Sequence, residues 1–322
     1  MLIENINVAS NSLSYEMPTV VALGYFDGLH MGHMEIIRAA YSYAKERDMR
    51  LVVQSFSNFP QKNAEQLMSN EIRYNILSSL DDKSDVDLVC LEFDDSLRTM
   101  SADAFLAEVV KAKFNASAVF CGQDYRFGAK AAGDVELLQK FCASEEICLE
   151  VFDDICLGDV RVSSSLLREK LQEGDIDGYR ALTNGVGPVF AGEVSSGKRL
   201  GRKLGFPTAN IRIPRDRVLP RFGVYVGKCT LGDKGQDEAY YGVLNIGIRP
   251  TVENSTNANL EIHILDFDKD IYGQKLTVEI LKFLRDERKF GSPQELASTV
   301  LLDKKAARSF VNEYVRNEAK KT

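Results

Sequence analysis

The sequence predicts an α/β domain with a parallel, doubly wound sheet, followed by an all-β domain that ends in one helix. Three observations carry this prediction. The 322 residues are long for one compact core. In the first half, short apolar runs alternate with amphipathic stretches, as in parallel sheets covered by helices. After Asn184-Gly185, strand candidates follow one another without helices between them. We therefore expect domains at 1–184 and 185–322.

The first domain has five strand candidates, each a short apolar run. They are Val20–Leu23, Leu51–Phe56, Leu88–Phe93, Ala116–Cys121 and Ile147–Phe152. Apolar residues at helical spacing predict a helix over Met34–Arg47. A second helix is expected over Asp103–Lys111, with Ser101 as its cap. In a sheet of this kind, ligands bind at the carboxyl ends of the strands.

The second domain has the strand candidates of a barrel or a sandwich. They are Val189–Val194, Gly223–Leu231, Glu238–Ile246, Leu260–Phe267 and Lys275–Leu284. A final helix is expected to begin at Ser292-Pro293, because serine caps a helix well and proline fits its first turn.

Charge and composition exclude several classes of protein. A net charge of −7 argues against a nucleic-acid partner, since phosphate backbones are met by basic surfaces. No apolar run is long enough to span a membrane, and Met1–Ser14 is too polar for a signal peptide. The six cysteines form no CxxC or zinc-type spacing, so we expect buried thiols in a cytoplasmic protein. Composition leaves the oligomeric state open.

The segment Val20–Met34 contains the first candidate site residues. A strand ends at Gly24, a turn with Gly28 follows, and His30 and His33 lie at the start of a helix. A helix N-terminus has unpaired N–H groups and a partial positive charge, which suit phosphates. Two imidazoles on one side of the first turn can donate to phosphate oxygens during a nucleotidyl transfer. The pattern therefore predicts a phosphate site.

Two further segments extend this prediction. Val162–Arg168 reads VSSSLLR at the start of a predicted helix. The hydroxyls of Ser164 and Ser165, with Arg168 one turn later, would clamp a second phosphate. In Cys121–Asp134, charged and aromatic residues follow a strand end, which suits a planar ring system but is a weak signal by itself.

The second domain carries a metal-type motif and a carboxylate on a strand. Thr208 and Asn210 of the PTAN motif are hard oxygen ligands on the same side of an extended segment, which suits Mg²⁺. Alternation along Leu260–Phe267 places Glu261 and His263 on one face. A carboxylate fixed there can accept the proton of an alcohol that attacks a γ-phosphate.

These motifs belong to a longer set of ordered blocks, through which the chain resembles the bacterial bifunctional riboflavin kinases/FAD synthetases. The resemblance covers nearly all residues from Val20 to Phe310. The blocks are GYFDGLHMGH, CGQDYRFG and VSSSLLR in the first half, and GRKLGFPTANI, FGVYVG, NIGIRPTV, LEIHILDF and YGQKLTVEILKFLRDERKF in the second. The resemblance implies a Rossmann-like HxGH nucleotidyltransferase domain, which is an FMN adenylyltransferase, at 1–184. It implies a six-stranded antiparallel β-barrel flavokinase domain with a C-terminal helix at 185–322.

For the second domain, the resemblance implies that riboflavin is phosphorylated by ATP with Mg²⁺ or Mn²⁺. Glu261 is then the general base for the ribityl 5′-hydroxyl. Thr208 and Asn210 are the contacts of metal and ATP, and Gly201 lies in the phosphate loop. The implied flavin-binding residues of this domain are Arg285 and Glu287.

For the first domain, the resemblance implies that FMN and ATP give FAD and diphosphate. His30 and His33 are the implied catalytic residues. The implied ATP-binding residues are Gly24, Phe26, Asp27, Gly28, Ser164, Ser165 and Arg168. The implied flavin-binding residues are Asp124, Phe127 and Gly128. Riboflavin, FMN and ATP are the expected partners.

The first domain also departs from the family pattern. Ser57 and Phe59 stand where the family has Glu and His, Tyr25 stands where it has Asn, and Leu166 replaces an Arg. Three hypotheses follow. The leading one is a two-step enzyme that converts riboflavin to FMN and FMN to FAD. The second is a riboflavin kinase with a weak or inactive adenylyltransferase domain, and the third is a regulator that senses flavin or nucleotide.

Overall fold

The computed structural model describes residues 3–9, 13–58, 65–80, 85–195, 205–232, 238–248 and 258–320. The chain forms two compact units, Met1–Ser164 and Ser165–Thr322. This division falls before the domain boundary expected at residue 184, because the helices that follow Ser164 belong to the second unit.

The first unit is built on a six-stranded, all-parallel sheet with strand order β1-β4-β3-β2-β5-β6. Its strands are β1 Ile3–Ile6, β2 Thr19–Leu23, β3 Arg50–Phe56, β4 Val86–Leu91, β5 Ala116–Gly122 and β6 Cys148–Phe152. The central strands are buried along their length, as expected of a sheet covered on both faces. The predicted parallel α/β fold is confirmed. Strand β1 was not predicted.

The helices of the first unit connect these strands. They are α1 Met31–Glu46, α2 Asn70–Ser78, α3 Asp95–Thr99, α4 Ala102–Ala104 and α5 Val135–Ser144, with a π-helix at Phe105–Lys113 and a 3₁₀ turn at Ala129–Ala131. Ser101 caps α4 as predicted, since its hydroxyl accepts the N–H of Ala104 at 3.1 Å. The helix predicted to run on to Lys111 continues as the π-helix. A short hairpin, β7 Cys156–Leu157 with β8 Val160–Arg161, follows the sheet.

The second unit is a six-stranded antiparallel barrel with strand order β10-β13-β12-β11-β14-β9. Its strands are β9 Val189–Glu193, β10 Ala209–Arg212, β11 Gly223–Leu231, β12 Tyr240–Ile248, β13 Ala258–Ile264 and β14 Lys275–Asp286. A bridge between Ser195 and Asn210 links the two end strands, so the sheet is nearly closed. A barrel is therefore confirmed over a sandwich.

In the described part of the chain, three helices accompany the barrel: α6 Ser164–Glu173, α7 Ile176–Leu182 and α8 Pro293–Glu318. Leu260, Ile262 and Leu244 lie in the interior core. On the outer face, Val224 and Val243 pack with Ala307 of α8. The barrel thus has a dry interior and an outer face partly covered by α8.

The cysteine prediction is correct for four residues and wrong for two. Cys90, Cys121, Cys142 and Cys229 are buried, and burial raises the pKa of each thiol. Cys148 and Cys156 are exposed because they lie on β6 at the sheet edge and in the short hairpin. All six thiols are free. Among the described helices, none is long and apolar enough to cross a membrane.

Candidate active sites

The loop between β2 and α1 has a strained backbone. Phe26, Gly28 and Leu29 have φ angles of +52°, +86° and +43°. The left-handed region costs a residue with a Cβ atom roughly 1 kcal/mol or more, so the surroundings must hold this shape. Gly24 lies against the Phe26 ring, and a Cβ atom there would come within 2.7 Å of it.

The centre of this loop is held by Asp27, which is 1% exposed. Its carboxylate accepts the backbone N–H groups of Leu67, at 3.0 and 3.1 Å, and of Met68, at 3.2 Å. Its backbone carbonyl accepts the hydroxyl of Ser164 at 2.8 Å. Asp27 is therefore an anchor for the loop, and Ser164 contacts it directly.

The two histidines stack on each other at the start of α1. Their ring centroids are 3.5 Å apart. The backbone N–H of His33 donates to the ring atom Nδ1 of His30 at 3.2 Å. Because Nδ1 accepts this bond, neutral His30 carries its proton on Nε2. The group that His30 can offer to a phosphate oxygen is therefore Nε2–H.

Both histidines are neutral at pH 7. Burial lowers the pKa of His30 to about 4, with Asp124 opposing this effect and Arg161 adding to it. Burial, then the neighbouring His30 and the charge of Arg73, lower the pKa of His33 well below its ordinary value. Nδ1 of His33 is buried without a hydrogen-bond partner among the residues that the structure describes.

The expected flavin residues of the first unit lie at the carboxyl end of β5. Asp124 is exposed and accepts Arg161 at 2.6 Å, and Arg161 also pairs with Asp154 at 2.9 Å. Phe127 is buried in the core, 6% exposed, and Gly128 follows it with a φ of +72°. The Asp124 carboxylate acts electrostatically on His30, whereas the Phe127 ring packs in the core against the rings of Phe105 and Tyr125.

The remaining phosphate residues lie on α6. Ser165 is exposed and Arg168 is half-buried, and both belong to the second compact unit. Their expected contacts with ATP stay a prediction.

In the barrel, the candidate residues form one row across the outer face. Asn210 lies opposite Glu261, and Glu261 lies opposite Asn245. Asn245 lies opposite Val224, which lies opposite Arg285. Directly opposed residues share a face of the sheet, so strand pairing brings this row together. The row continues to the part of the outer face covered by α8.

The PTAN segment is fixed to the strand that carries Glu261. His263, 9% exposed, has its Nδ1 atom 2.8 Å from the carbonyl oxygen of Pro207. Burial lowers the pKa of His263. Asn210 donates from Nδ2 to the carbonyl oxygen of Thr208 at 3.2 Å, so its amide oxygen is the ligand that it can offer to a cation.

The expected flavin residues of the barrel have defined partners. Arg285 binds Asp303 of α8 through two hydrogen bonds of 3.0 and 2.7 Å. Glu287 accepts the amide N–H of Asn245 at 3.1 Å. Asn245 therefore connects Glu261 on one side with Glu287 on the other.

Some of the positions at which this sequence differs from the family pattern lie within the described residues. Ser57 is half-buried, and its N–H donates to the carbonyl oxygen of Leu91 at 2.9 Å. The Tyr25 ring lies 5.9 Å from that of Phe56. Phe59 and Gly201 lie outside the described residues, as does most of the glycine-rich basic loop expected at 197–205.

Sequence reasoning missed two residues and one contact of these sites. Asn245 stands in a recognised block, but only strand pairing shows that it neighbours Glu261. The bond from His263 to Pro207 joins residues that are far apart in the chain. Arg73, buried beneath the loop after β2, carries no spacing signal at all.

Comparisons with known proteins follow the same division of the chain. A family model described as FAD synthetase matches residues 13–166, and one described as riboflavin kinase matches residues 185–311. The bifunctional riboflavin kinase/FMN adenylyltransferase of Haemophilus influenzae is 33% identical over 91% of this chain and 94% of its own length. The chain belongs to this bifunctional family. The two-step hypothesis is thereby confirmed, and a silent first domain is not favoured.

Two further proteins are similar to this chain over almost its whole length. The Escherichia coli K12 member of the family is 33% identical over 90% of this chain and 92% of its own length. A crystal structure from Streptococcus pneumoniae, described as a macrolide-efflux protein, has a TM-score of 0.81 and 26% identity. It covers 96% of this chain and 99% of its own. The likeness therefore spans both units.

Proposed function

We propose that the barrel transfers the γ-phosphoryl group of ATP to the ribityl 5′-hydroxyl of riboflavin, with Glu261 as the general base. The observation that carries this proposal is the row Asn210–Glu261–Asn245, in which a carboxylate is fixed between two amides by strand register. Glu261 removes the hydroxyl proton as the oxygen attacks phosphorus, and ADP leaves. Strands hold such a group more firmly than a loop would, which favours in-line attack.

We propose that Thr208 and Asn210 hold the divalent cation of the ATP complex. The residues fit, since a hydroxyl oxygen and an amide oxygen are the hard ligands that Mg²⁺ prefers, and Mn²⁺ is the natural substitute. Asn210 is 5% exposed and tied to Thr208 through its own Nδ2, which presents the amide oxygen. When bound there, the cation would supply positive charge to the phosphates of ATP.

In the first unit, we propose that His30 and His33 stabilise the transfer of AMP from ATP to FMN. The 5′-phosphate of FMN attacks the α-phosphorus of ATP, and diphosphate leaves. Nε2–H of His30 donates to phosphate oxygens as their charge redistributes, while Gly24, Phe26, Asp27 and Gly28 shape the loop around them. Ser164, Ser165 and Arg168 are proposed to bind the departing phosphates.

Flavin is proposed to bind beside each phosphate site. In the first unit the proposed residues are Asp124, Phe127 and Gly128, and in the barrel they are Arg285 and Glu287. The bonds of Arg285 to Asp303 and of Glu287 to Asn245 support a preformed wall next to Glu261. We propose that the activities divide at residues 184 and 185, in agreement with the two family models.

We propose a cytoplasmic enzyme that uses small-molecule substrates only. The six free thiols support a reducing compartment. The net charge of −7 disfavours binding to the phosphate backbone of nucleic acid.

A chromatographic time course tests the whole proposal. Purified protein is incubated with riboflavin, ATP and Mg²⁺, and FMN is expected to rise first and then to give way to FAD. Omission of the metal or its chelation should stop FMN formation. Accumulation of FMN without FAD, even with excess FMN and a reducing agent, would contradict the role of the first unit. Failure to form FMN would contradict the role of the barrel.

A further inference from the structure

A fully buried arginine lies beneath the loop after β2. Arg73 of α2 is 0% exposed, although its guanidinium remains charged in proteins. It donates to the carbonyl oxygen of Tyr25 at 2.6 Å and to the side-chain oxygens of Ser55 and Asn70. These acceptors are all neutral. In the described part of the chain, no carboxylate pairs with Arg73, and its Nε–H has no acceptor.

Burial of a cation without a counter-charge is costly. A buried charge is ordinarily paired or replaced by an apolar side chain, and either solution is the more stable. The Tyr25 ring, with its centroid 5.2 Å from the guanidinium carbon, compensates this charge in part through a cation–π contact but provides no counter-charge. Packing alone therefore does not account for Arg73. An anionic ligand that binds nearby would supply the missing counter-charge, because opposite charges attract strongly in a site of low dielectric constant.

Arg73 is bonded to the strained loop directly and through the hydroxyl of Ser55. Tyr25, whose carbonyl accepts both Arg73 and the hydroxyl of Ser55 at 2.7 Å, directly precedes Phe26 with its φ of +52°. The other described anchors of the loop are the bonds to Asp27, which bring no positive charge. Arg73 therefore gives the loop a fixed positive charge, which the bonds to Asp27 do not provide.

The same charge acts on the stacked histidines. Burial, His30 and Arg73 together keep His33 neutral, and Asp124 and Arg161 act on His30 from the flavin side. The Phe26 ring packs edge-on against His33 with centroids 5.3 Å apart. Arg73 thus influences both the shape of the loop and the protonation state of the histidines.

We propose that Arg73 is a positioning residue for adenylyl transfer, which pins the loop from residue 24 to 33 and supplies a buried positive charge behind the nucleotide phosphates. This inference rests on the proposed role of that loop. Arg73 has no direct contact with substrate in this proposal, because it is fully enclosed. It acts through the Tyr25 carbonyl and through the electrostatic field at His33.

Two substitutions separate the charge of Arg73 from its geometry. Arg73→Met keeps the length and removes the charge and all donors. It is expected to lower kcat/KM for FMN adenylylation about 100-fold and to move the acidic limb of the pH profile to higher pH, because His33 becomes easier to protonate. Arg73→Lys keeps the charge but cannot serve three acceptors at once. It should keep the wild-type acidic limb and raise KM for ATP several-fold.

The full chain supplies its own controls. Riboflavin kinase activity should stay at the wild-type level in both variants, which shows that the barrel is intact, and circular dichroism with thermal unfolding shows whether the first unit is folded. Arg217→Met removes another buried arginine, which donates to the carbonyl oxygen of Val189 at 3.0 Å in the barrel, and it should leave adenylylation unchanged. If Arg73→Met does not fold, the KM for ATP and the pH profile of Arg73→Lys test the proposal instead.

The results distinguish the inference from the site on which it rests. Wild-type adenylylation kinetics in the Arg73 variants, with activity lost in His30→Ala, would overturn the role of Arg73 alone. Adenylylation that survives in His30→Ala as well would overturn the proposed site. An Arg73→Met variant that loses activity with an unmoved acidic limb would overturn the electrostatic role.

Discussion

The two units of this chain place their candidate catalytic groups in opposite ways. In the α/β unit, His30 and His33 are close in sequence and lie on a strained, buried loop that is held by contacts from other elements. In the barrel, Asn210, Glu261 and Asn245 are far apart in sequence and become neighbours through regular strand pairing.

This difference determines what each site depends on. The loop site depends on desolvation and on anchors, because burial and neighbouring charge lower the pKa of both histidines. The barrel site depends on register, because a shift of one residue in β13 would turn Glu261 to the interior. Substitution of one buried residue outside the motif can therefore alter the loop site. The barrel site is altered mainly by substitutions within the row Asn210–Glu261–Asn245 itself.

The largest effect is expected from the barrel. Glu261→Gln keeps the size of the side chain and removes the base, so kcat for FMN formation should fall about 1,000-fold while riboflavin still binds. Conversion of added FMN to FAD should be unchanged. The exposed Glu193 of β9 provides a control, since Glu193→Gln should leave both activities intact. Normal kcat in Glu261→Gln would rule out the general base.

The next effect concerns the loop. His30→Ala removes the Nε2–H donor and the cap of α1, so FAD formation should fall about 100-fold or more. FMN formation should be unaffected. Tyr43→Phe, on the same helix, should leave both reactions intact and serves as the control. Equal loss of both activities in His30→Ala would contradict the separation of the two sites.

A third prediction follows from the lowered pKa of His30. Between pH 6.5 and about 4, His30 is protonated in the unfolded chain but stays neutral in the folded protein. The free energy of unfolding should therefore fall with falling pH. The loss is at most about 3 kcal/mol for His30, is absent above pH 6.5 and stops below pH 4. Urea unfolding followed by far-UV circular dichroism at each pH measures it, and His30→Gln should reduce the pH dependence. An unchanged pH dependence in that variant would show that His30 is not the group concerned.

The smallest effect is expected from the family departures. Ser57→Glu combined with Phe59→His restores the family pair, and it should raise the rate of FAD formation a few-fold if these two positions limit the reaction. Steady-state kinetics with FMN and ATP measure the change, with riboflavin phosphorylation as the reference activity. Unchanged kinetics would mean that these two positions are dispensable in this chain.

The sequence by itself determined the order of the domains, the parallel and antiparallel sheets, and the motifs of both sites. Apolar periodicity shows which segments form strands and helices, and short motifs such as HxGH and PTAN are local enough to be read directly. The two histidines at a helix start, the PTAN segment and the face of Glu261 were therefore predicted from the sequence.

Only the tertiary structure decided which distant residues support these motifs. The contact of Asn245 with Glu287, the hold of His263 on Pro207 and the buried charge of Arg73 arise from packing between segments that are separate in the chain. The exposure of Cys148 and Cys156 likewise depends on where the sheet ends. No local pattern encodes these contacts, because burial and electrostatic fields depend on the groups that the fold brings together.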